Sequence, residues 1–586
     1  MSNRFDSPLD LPPDPAQQRR QRRLALTFLG LGLLCALTGA ALFGGRVAIG
    51  WLSERLPRST PGAPVEAGTR EVIIAVSPGM KPTFDQLVET FNATATEDIL
   101  PVRTLEMAPD KMVEESLGPA PDFHALAPDS SLWFHQLEQR WGETLGSEEQ
   151  GTVIPIATRR TSTPVRYAVS PIVIAAWESV ARDLGWPFEP LGWQEIQLKA
   201  TRDPSFKWNH PSTHHASGLL ATLAEFYAGA GLTRGLTEET ATDPDTLEYV
   251  RAVEATVRFY GEDEAVILER LRSEGRAFLD AFVVQEQAVI AWNQSRPTER
   301  LVAIYPAEGT LWADHPLALL ELDTVSEAQR RTYQAFADFL TTDQAQRTLL
   351  AVGYRPADLT ISLDDPASPF ATSDAVDWRQ PQTTLQMPPQ HVIRVVQNVW
   401  WYTKRPTNVI LVVDTSGSMN EGNKMERTVQ ALLTFLNNIQ GDRDQVGLVE
   451  FGSGIKHIEP LRPLDDAGRR HFEALIRTLS PQGNTALLDA VWEAHQQLLA
   501  LNDTEAINAI VVMTDGLENA SRRTELELQR AFARSESEQI VVFTIGFGAN
   551  PDTKLLQQLA VIGGGQFRRA DEMDIEELYR TISTYF

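Results

Sequence analysis

Val409-Ile-Leu-Val-Val413, followed at once by Asp414-Thr-Ser416-Gly-Ser418, decides the architecture of the C-terminal third of this chain. An unbroken aliphatic run predicts a strand buried on both faces of a parallel sheet. Met425, Val429, Leu432, Leu433 and Leu436 then share one face of a helix. Gln445 to Phe451 reads as a second strand, and Asp466 to Leu479 as a second helix. Gly483-Asn-Thr485-Ala-Leu opens a third helix toward Leu501. Ala509-Ile-Val-Val-Met-Thr514 is another apolar strand and ends in Asp515-Gly516. Ile540 to Ile545 repeats the pattern, and Asp574 to Tyr585 reads as a closing helix. Such β–α alternation from 405 to 586 predicts a doubly wound, Rossmann-like α/β sheet.

Asp414, Ser416, Ser418, Thr485 and Asp515 fall where strand C-termini meet helix N-termini, the edge at which open α/β sheets bind ligands. Two carboxylates and three hydroxyls are hard oxygen donors, suited to Mg²⁺, or to Mn²⁺ or Ca²⁺, and not to zinc. Hydroxyls coordinate without adding charge, so a small octahedral ion held this way keeps a position for an outside carboxylate. Asp-Thr-Ser-Gly-Ser alone also suits a capped turn. With Thr485 and Asp515, the pattern resembles the von Willebrand factor type A (VWA) domain and its metal-ion-dependent adhesion site. The resemblance implies Asp414, Ser416, Ser418 and Thr485 in or near the metal's coordination sphere, with Asp515 direct or through water. Gly417 and Gly422 have phosphate-loop spacing, but Asn423-Lys424-Met425 lacks the Lys-Ser/Thr that holds phosphate and magnesium. Glu518 and Asn519 read as part of a solvated loop.

Upstream, Glu71-Val-Ile-Ile-Ala-Val76 predicts a strand. A helix with Phe84, Leu87, Val88 and Phe91 on one face follows it. Alternation continues through Thr152–Ala157, Val165–Ala176, Ser217–Gly229 and Leu301–Tyr305 to a helix carrying Tyr333, Phe336, Phe339 and Leu340. Pro121-Asp-Phe-His-Ala-Leu-Ala-Pro-Asp-Ser130-Ser-Leu-Trp133, Tyr167-Ala-Val-Ser170-Pro-Ile-Val-Ile174 and Ile304-Tyr-Pro-Ala-Glu-Gly-Thr310 resemble bacterial extracellular solute-binding proteins. Over 70–360 the resemblance implies a two-lobed, type II periplasmic-binding-like domain with its ligand in the cleft. Helix N-termini would line such a cleft with backbone N–H groups. On that logic Ser77, Ser130, Ser170, Ser217 and Asn293 are the ligand-binding candidates, with helix capping as the alternative for each serine.

His210, His214 and His215 lie in a loop with no carboxylate nearby in sequence, so no zinc site is expected there. No Gly-x-Ser-x-Gly elbow marks a hydrolase, and no enzymatic activity is expected. The proline-rich, polar stretch after residue 354 predicts a linker, and His391 to Tyr402 a connecting helix on the last domain. Together, 361–404 read as linker and connecting helix.

The whole chain has 586 residues and a net charge of −26. Its length calls for about two to four domains, and its charge argues against nucleic acid as a partner. The single cysteine, Cys35, excludes an intramolecular disulfide. No charged residue falls between Leu24 and Gly45. At about 1.5 Å per residue this helix reaches roughly 33 Å, enough for a hydrocarbon core of about 30 Å. Arg19, Arg20, Arg22 and Arg23 place 1–23 in the cytoplasm and 46–69 as an external tether. The sequence therefore predicts a single-pass cell-membrane protein with most of its chain outside the cell. Its VWA domain would bind an acidic group on a protein partner, and its other domain a small solute. The alternatives are a tethered solute receptor for a transporter, or an assembly factor working with an ATPase.

Overall fold

The computed structural model describes residues 70–146, 159–261, 264–366, 368–534, 540–548 and 551–570, together with 578–579, 582–583 and 585. The expected tail 1–23, membrane helix 24–45 and tether 46–69 lie outside these residues, as do the strand at 152–157 and most of the closing helix. Among the described residues no helix is long and apolar enough to cross a membrane.

Two sheets build the N-terminal part. The first has the order Val102–Glu106, Val72–Val76, Ala125–Ala127, Pro316–Leu319, Val165–Arg166. Its first three strands run parallel, and Pro316–Leu319 runs antiparallel to both neighbours. All of Val72–Val76 is buried, as an unbroken apolar run requires. Helix Lys81–Thr94 packs Phe84 and Phe91 against Phe336, with ring centroids 5.5 and 5.1 Å apart.

The second sheet is built on the long strand Ala168–Trp177. Ala281–Gln285, Leu301–Ile304, Trp312–Ala313 and Arg355–Pro356 all pair with it, and Trp208–Asn209 extends the sheet. The chain crosses between the lobes at 166–168, at 313–316 and again before Arg355. A cleft between two α/β lobes follows.

The C-terminal sheet has the order Ile455–Pro463, Gln445–Phe451, Thr407–Asp414, Ile507–Thr514, Ile540–Phe547, Phe567–Ala570. Ile455–Pro463 alone is antiparallel. Strand order reverses between Thr407–Asp414 and Ile507–Thr514, and a crevice opens at that switch point. Helix Leu487–Leu501 covers one face, and helices Lys424–Asn438 and Asp466–Ile476 the other. That second face shares a continuous core with the second lobe, where the Phe259 and Tyr585 rings lie tilted with centroids 5.7 Å apart.

Three expectations need correction. Residues 361–389 are not a free linker, because Phe370, Ala375, Val376 and Leu385 are buried against the second lobe. Their spacing follows neither a strand nor a helix period, so pattern reading misses them. Helix Gln390–Thr403 packs chiefly on helices Ala216–Gly229, Glu238–Ala241 and Pro244–Glu254 of the second lobe, and the last domain reaches its end where Arg443 donates to Tyr402 O at 3.3 Å. Its apolar stripe fixes an inward face but does not specify the partner. Finally, Ile455–Pro463 is a strand where none was expected. It is a largely exposed edge, rich in charge, and shows no apolar alternation.

Candidate functional site

Parallel pairing of Val413 with Met513 brings the ends of Thr407–Asp414 and Ile507–Thr514 side by side, and with them Asp414 and Asp515. Asp414 accepts from the Ser416 N–H at 2.7 Å through Oδ1 and from the Thr514 hydroxyl at 2.5 Å through Oδ2. The Ser416 and Ser418 hydroxyls lie 3.1 Å apart, and Ser418 donates to Asp515 Oδ1 at 2.7 Å. The loop carrying Thr485 is held against the first strand's loop by Gly417 N–H to Gly483 O and Gln482 N–H to Thr415 O, both 2.8 Å. A Cβ on Gly516 would lie 3.1 Å from Thr485 Oγ1 and 3.6 Å from Ser418 Oγ. Glycine at 516 therefore keeps that space between the two hydroxyls open. All five sequence-selected residues meet at this point.

Burial pushes the Asp414 carboxyl up to about 6, and the charge of Asp515 adds to the rise, while the Thr514 and Ser416 hydrogen bonds oppose it. Sequence reading passed over Lys424 as a failed phosphate-loop lysine. Its Nζ lies 2.6 Å from Asp515 Oδ2 and 3.3 Å from Glu421 Oε2. Burial works against that charge, yet the hydrogen bond and charge of Asp515 raise the ammonium above its ordinary range. Asn519 and Glu518 also act as more than a solvated loop. Asn519 Oδ1 accepts from Thr485 N–H at 2.9 Å, and Glu518 Oε2 accepts from Leu488 N–H at 3.0 Å, fixing Thr485 and the start of helix Leu487–Leu501. Neither signal shows in composition or period; both need the loops folded together.

The donor set fits a hard divalent ion: two carboxylates, three hydroxyls, no nitrogen or sulfur ligand, and a glycine that leaves room. Asp414, Ser416, Ser418 and Thr485 would hold it, with Asp515 shared with Lys424. When bound, such an ion supplies an electrophilic point for an anionic group. The two aspartates, Glu421 and Lys424 together leave two net negative charges, which a dication would balance.

Between the lobes lies a cavity of about 450 Å³. Ser77 and Ser217 line it; Ser130, Ser170 and Asn293 do not. The Ser130 hydroxyl accepts from Leu132 N–H at 3.3 Å and Ser170 from Gln287 N–H at 3.2 Å, both at helix starts. Asn293 clamps Leu301 by two hydrogen bonds of 2.8 and 3.1 Å. These three side chains are spent on structure, the alternative reading for the serines. In the cavity wall, Ser77 Oγ, His215 Nε2 and His315 Nδ1 are buried with no hydrogen-bond partner. Helices Lys81–Thr94, Ala216–Gly229 and Glu286–Gln294 start at this wall, and Arg272 adds a cation. A polar solute would meet unspent donors and acceptors there.

Comparison with known proteins adds to this geometry. Residues 408–581 match the family model described as von Willebrand factor type A domain, and residues 72–355 the one described as bacterial extracellular solute-binding protein. Inter-alpha-trypsin inhibitor heavy chain H4 of Sus scrofa is 30% identical over 191 residues, which is 30% of this chain and 20% of that protein. The chain thus spans about a fifth of the length of the curated relatives it matches. Among solved structures, the sulfate-binding protein SubI of Mycobacterium tuberculosis H37Rv is 15% identical and covers 53% of this chain and 94% of its own, at a TM-score of 0.37. A von Willebrand factor type A protein from Catenulispora acidiphila is 20% identical and covers 31% of this chain and 42% of its own, at 0.28. The two matches thus follow one another along the chain, the solute-binding model over 72–355 and the von Willebrand factor type A model over 408–581.

Proposed function

We propose that this protein is an extracellular binding or adhesion protein, tethered to the cell membrane by residues 24–45. Its VWA domain holds Mg²⁺, with Mn²⁺ or Ca²⁺ as substitutes, on Asp414, Ser416, Ser418, Thr485 and Asp515. The ion captures a carboxylate of a protein partner, and no chemical step follows. The observation that carries this reading is the convergence of five oxygen-bearing side chains from three loops on the sheet's switch point, beside a lysine that offsets one of their two charges. The test is calorimetry of the full chain with Mg²⁺, beside Ser416→Ala. Loss of a ligand should weaken binding by about tenfold or more. Equal affinity in both would overturn the reading.

A second reading rests on the interlobe cavity, whose Ser77, His215 and His315 atoms have no partner in the protein. It makes the protein a tethered receptor that passes a small solute to a transporter. Solute binding that survives both chelator and Asp414→Ala would favour it.

A further inference from the structure

His210, Glu225 and Glu254 come from three separate places in the sequence, yet each is wholly buried in the second lobe. One ligand atom from each lies within 4.8 Å of the others. The sequence offered His210 no carboxylate nearby. The fold supplies two, by packing helix Ala216–Gly229 against helix Pro244–Glu254.

The hydrogen-bond pattern around the cluster is that of ligands already oriented. The Pro211 carbonyl can only accept, so His210 Nδ1 donates to it at 2.7 Å. Nε2 is therefore left with its lone pair, as in a metal-binding imidazole fixed by its other nitrogen. Nε2 lies 3.5 Å from Glu225 Oε1, and its nearest donor is the Thr222 hydroxyl at a long 3.4 Å. With bonds of about 2.0–2.2 Å, two ligands of a tetrahedral ion stand about 3.3–3.6 Å apart. The 3.5 Å spacing is that edge, and it is too long for the hydrogen bond it would otherwise replace.

Glu254 is anchored as a ligand would be. Tyr260 donates to its Oε2 at 2.7 Å and Trp400 Nε1 to its Oε1 at 2.5 Å, leaving each oxygen a lone pair. Both oxygens of Glu225, by contrast, are buried with no hydrogen-bond partner. Among the described residues, neither carboxylate has a lysine or arginine within ion-pair distance. Two acidic groups and an imidazole lone pair, closed off from water, lack a positive centre among them.

We infer that His210, Glu225 and Glu254 form a buried structural site for a borderline divalent transition-metal ion of the Zn²⁺ class, separate from the sheet-edge site. One nitrogen and two carboxylates suit such an ion better than Mg²⁺ or Ca²⁺. The site sits where the solute-binding domain meets the VWA domain. Trp400 belongs to the connecting helix, and the Arg405 N–H just beyond it donates to Tyr260 Oη at 2.8 Å. An ion there would pin the joint between the two modules through Glu254.

The test uses the full chain carrying Asp414→Ala, so that the sheet-edge site does not contribute. It is loaded with Zn²⁺ alone, desalted, and analysed for metal content and thermal midpoint. About one zinc per chain should remain, and a strong chelator should lower the midpoint. Glu225→Gln keeps the shape and removes the charge, and His210→Gln removes the imidazole; each should weaken zinc binding at least tenfold. Trp400→Phe removes the donor to Glu254 together with part of a buried ring, and should weaken zinc binding by about tenfold; a drop in zinc affinity beyond that of a folded Trp401→Phe control is the part that belongs to the lost donor. The inference is overturned if the Asp414→Ala chain retains no zinc. It is equally overturned if folded Glu225→Gln and His210→Gln chains both retain zinc as their parent does. Neither result bears on Mg²⁺ at the sheet edge, which Asp414→Ala and Ser416→Ala test separately.

Discussion

The two carboxylate clusters of this chain are buried to similar degrees and satisfied to very different ones. At the sheet edge, each oxygen of Asp414 and Asp515 has a donor: Ser416 N–H, the Thr514 and Ser418 hydroxyls, and Lys424. At the joint with the second lobe, Glu254 has two donors and Glu225 none. The cost of burial shows in both. Asp414 rises to about 6, and Glu225 goes well above its ordinary range, first through burial and then through Glu254 and Glu308. The sheet edge offsets that cost with hydrogen bonds and a lysine. The joint leaves it standing, which a folded chain tolerates only where a proton, water or ion completes the group. A carboxylate that the chain itself satisfies can still share its remaining lone pairs with an ion, whereas one left without any donor requires a proton, water or ion to complete it.

A fully satisfied pair sets the upper limit of that contrast. Glu286 is wholly buried and takes two 2.7 Å hydrogen bonds from Arg355, with a third from Tyr305. Arg355→Met should leave that carboxylate charged, buried and without its cation, at a cost of about 3–5 kcal/mol. Urea titration of the full chain would read it. A loss below about 1 kcal/mol, the scale of an exposed pair, would break the distinction.

Two histidines test the same idea through pH. His315, 1% exposed, donates from Nε2 to Gln285 Oε1 at 2.7 Å, while its Nδ1 has no partner. Burial lowers its pKa to about 3, and that of His495 to about 4. Both stay neutral in the folded chain, while the unfolded chain takes up protons below about pH 6.5. Their contribution is therefore complete above 6.5 and is lost as pH falls toward the folded values, by up to about 1.4 kcal/mol per pH unit for each. His315→Gln should flatten the fall in unfolding midpoint between pH 6.5 and 5 by one proton's worth. An unchanged slope would show that His315 is not held neutral.

The central strands of the last domain and the sheet-edge residues were legible because their signals are local. Val409–Val413 and Ala509–Thr514 are continuous apolar runs, and Asp414, Ser416 and Ser418 lie within one turn of chain. The rest depends on contacts between distant segments. Lys424 is identified only once Asp515, 91 residues on, lies beside it. His210 gains its carboxylates from helices whose partners no periodicity specifies, and Trp400 reaches Glu254 across 146 residues. Ser130 and Ser170 had the residue type and loop setting of cleft ligands. Backbone N–H groups at helix starts, that of Leu132 for Ser130 and that of Gln287 for Ser170, had the prior claim on them.

That prior claim yields the finest test. Ser130 and Ser77 are both buried serines just ahead of helices, at 0% and 4% exposure. Ser130 Oγ accepts from Leu132 N–H, whereas Ser77 Oγ has no partner and lines the interlobe cavity. Ser130→Ala strips a helix start of an acceptor and should cost about 1 kcal/mol. Ser77→Ala removes nothing the fold uses and should stay within about 0.5 kcal/mol of wild type. Ligand response should divide the other way. A small solute that raises the wild-type thermal midpoint should keep its effect in Ser130→Ala and lose most of it in Ser77→Ala, since a binding hydroxyl is spent on the solute and a capping one on the chain. If Ser77→Ala costs as much stability as Ser130→Ala, its hydroxyl has a structural role after all, and a missing partner would no longer mark the cleft.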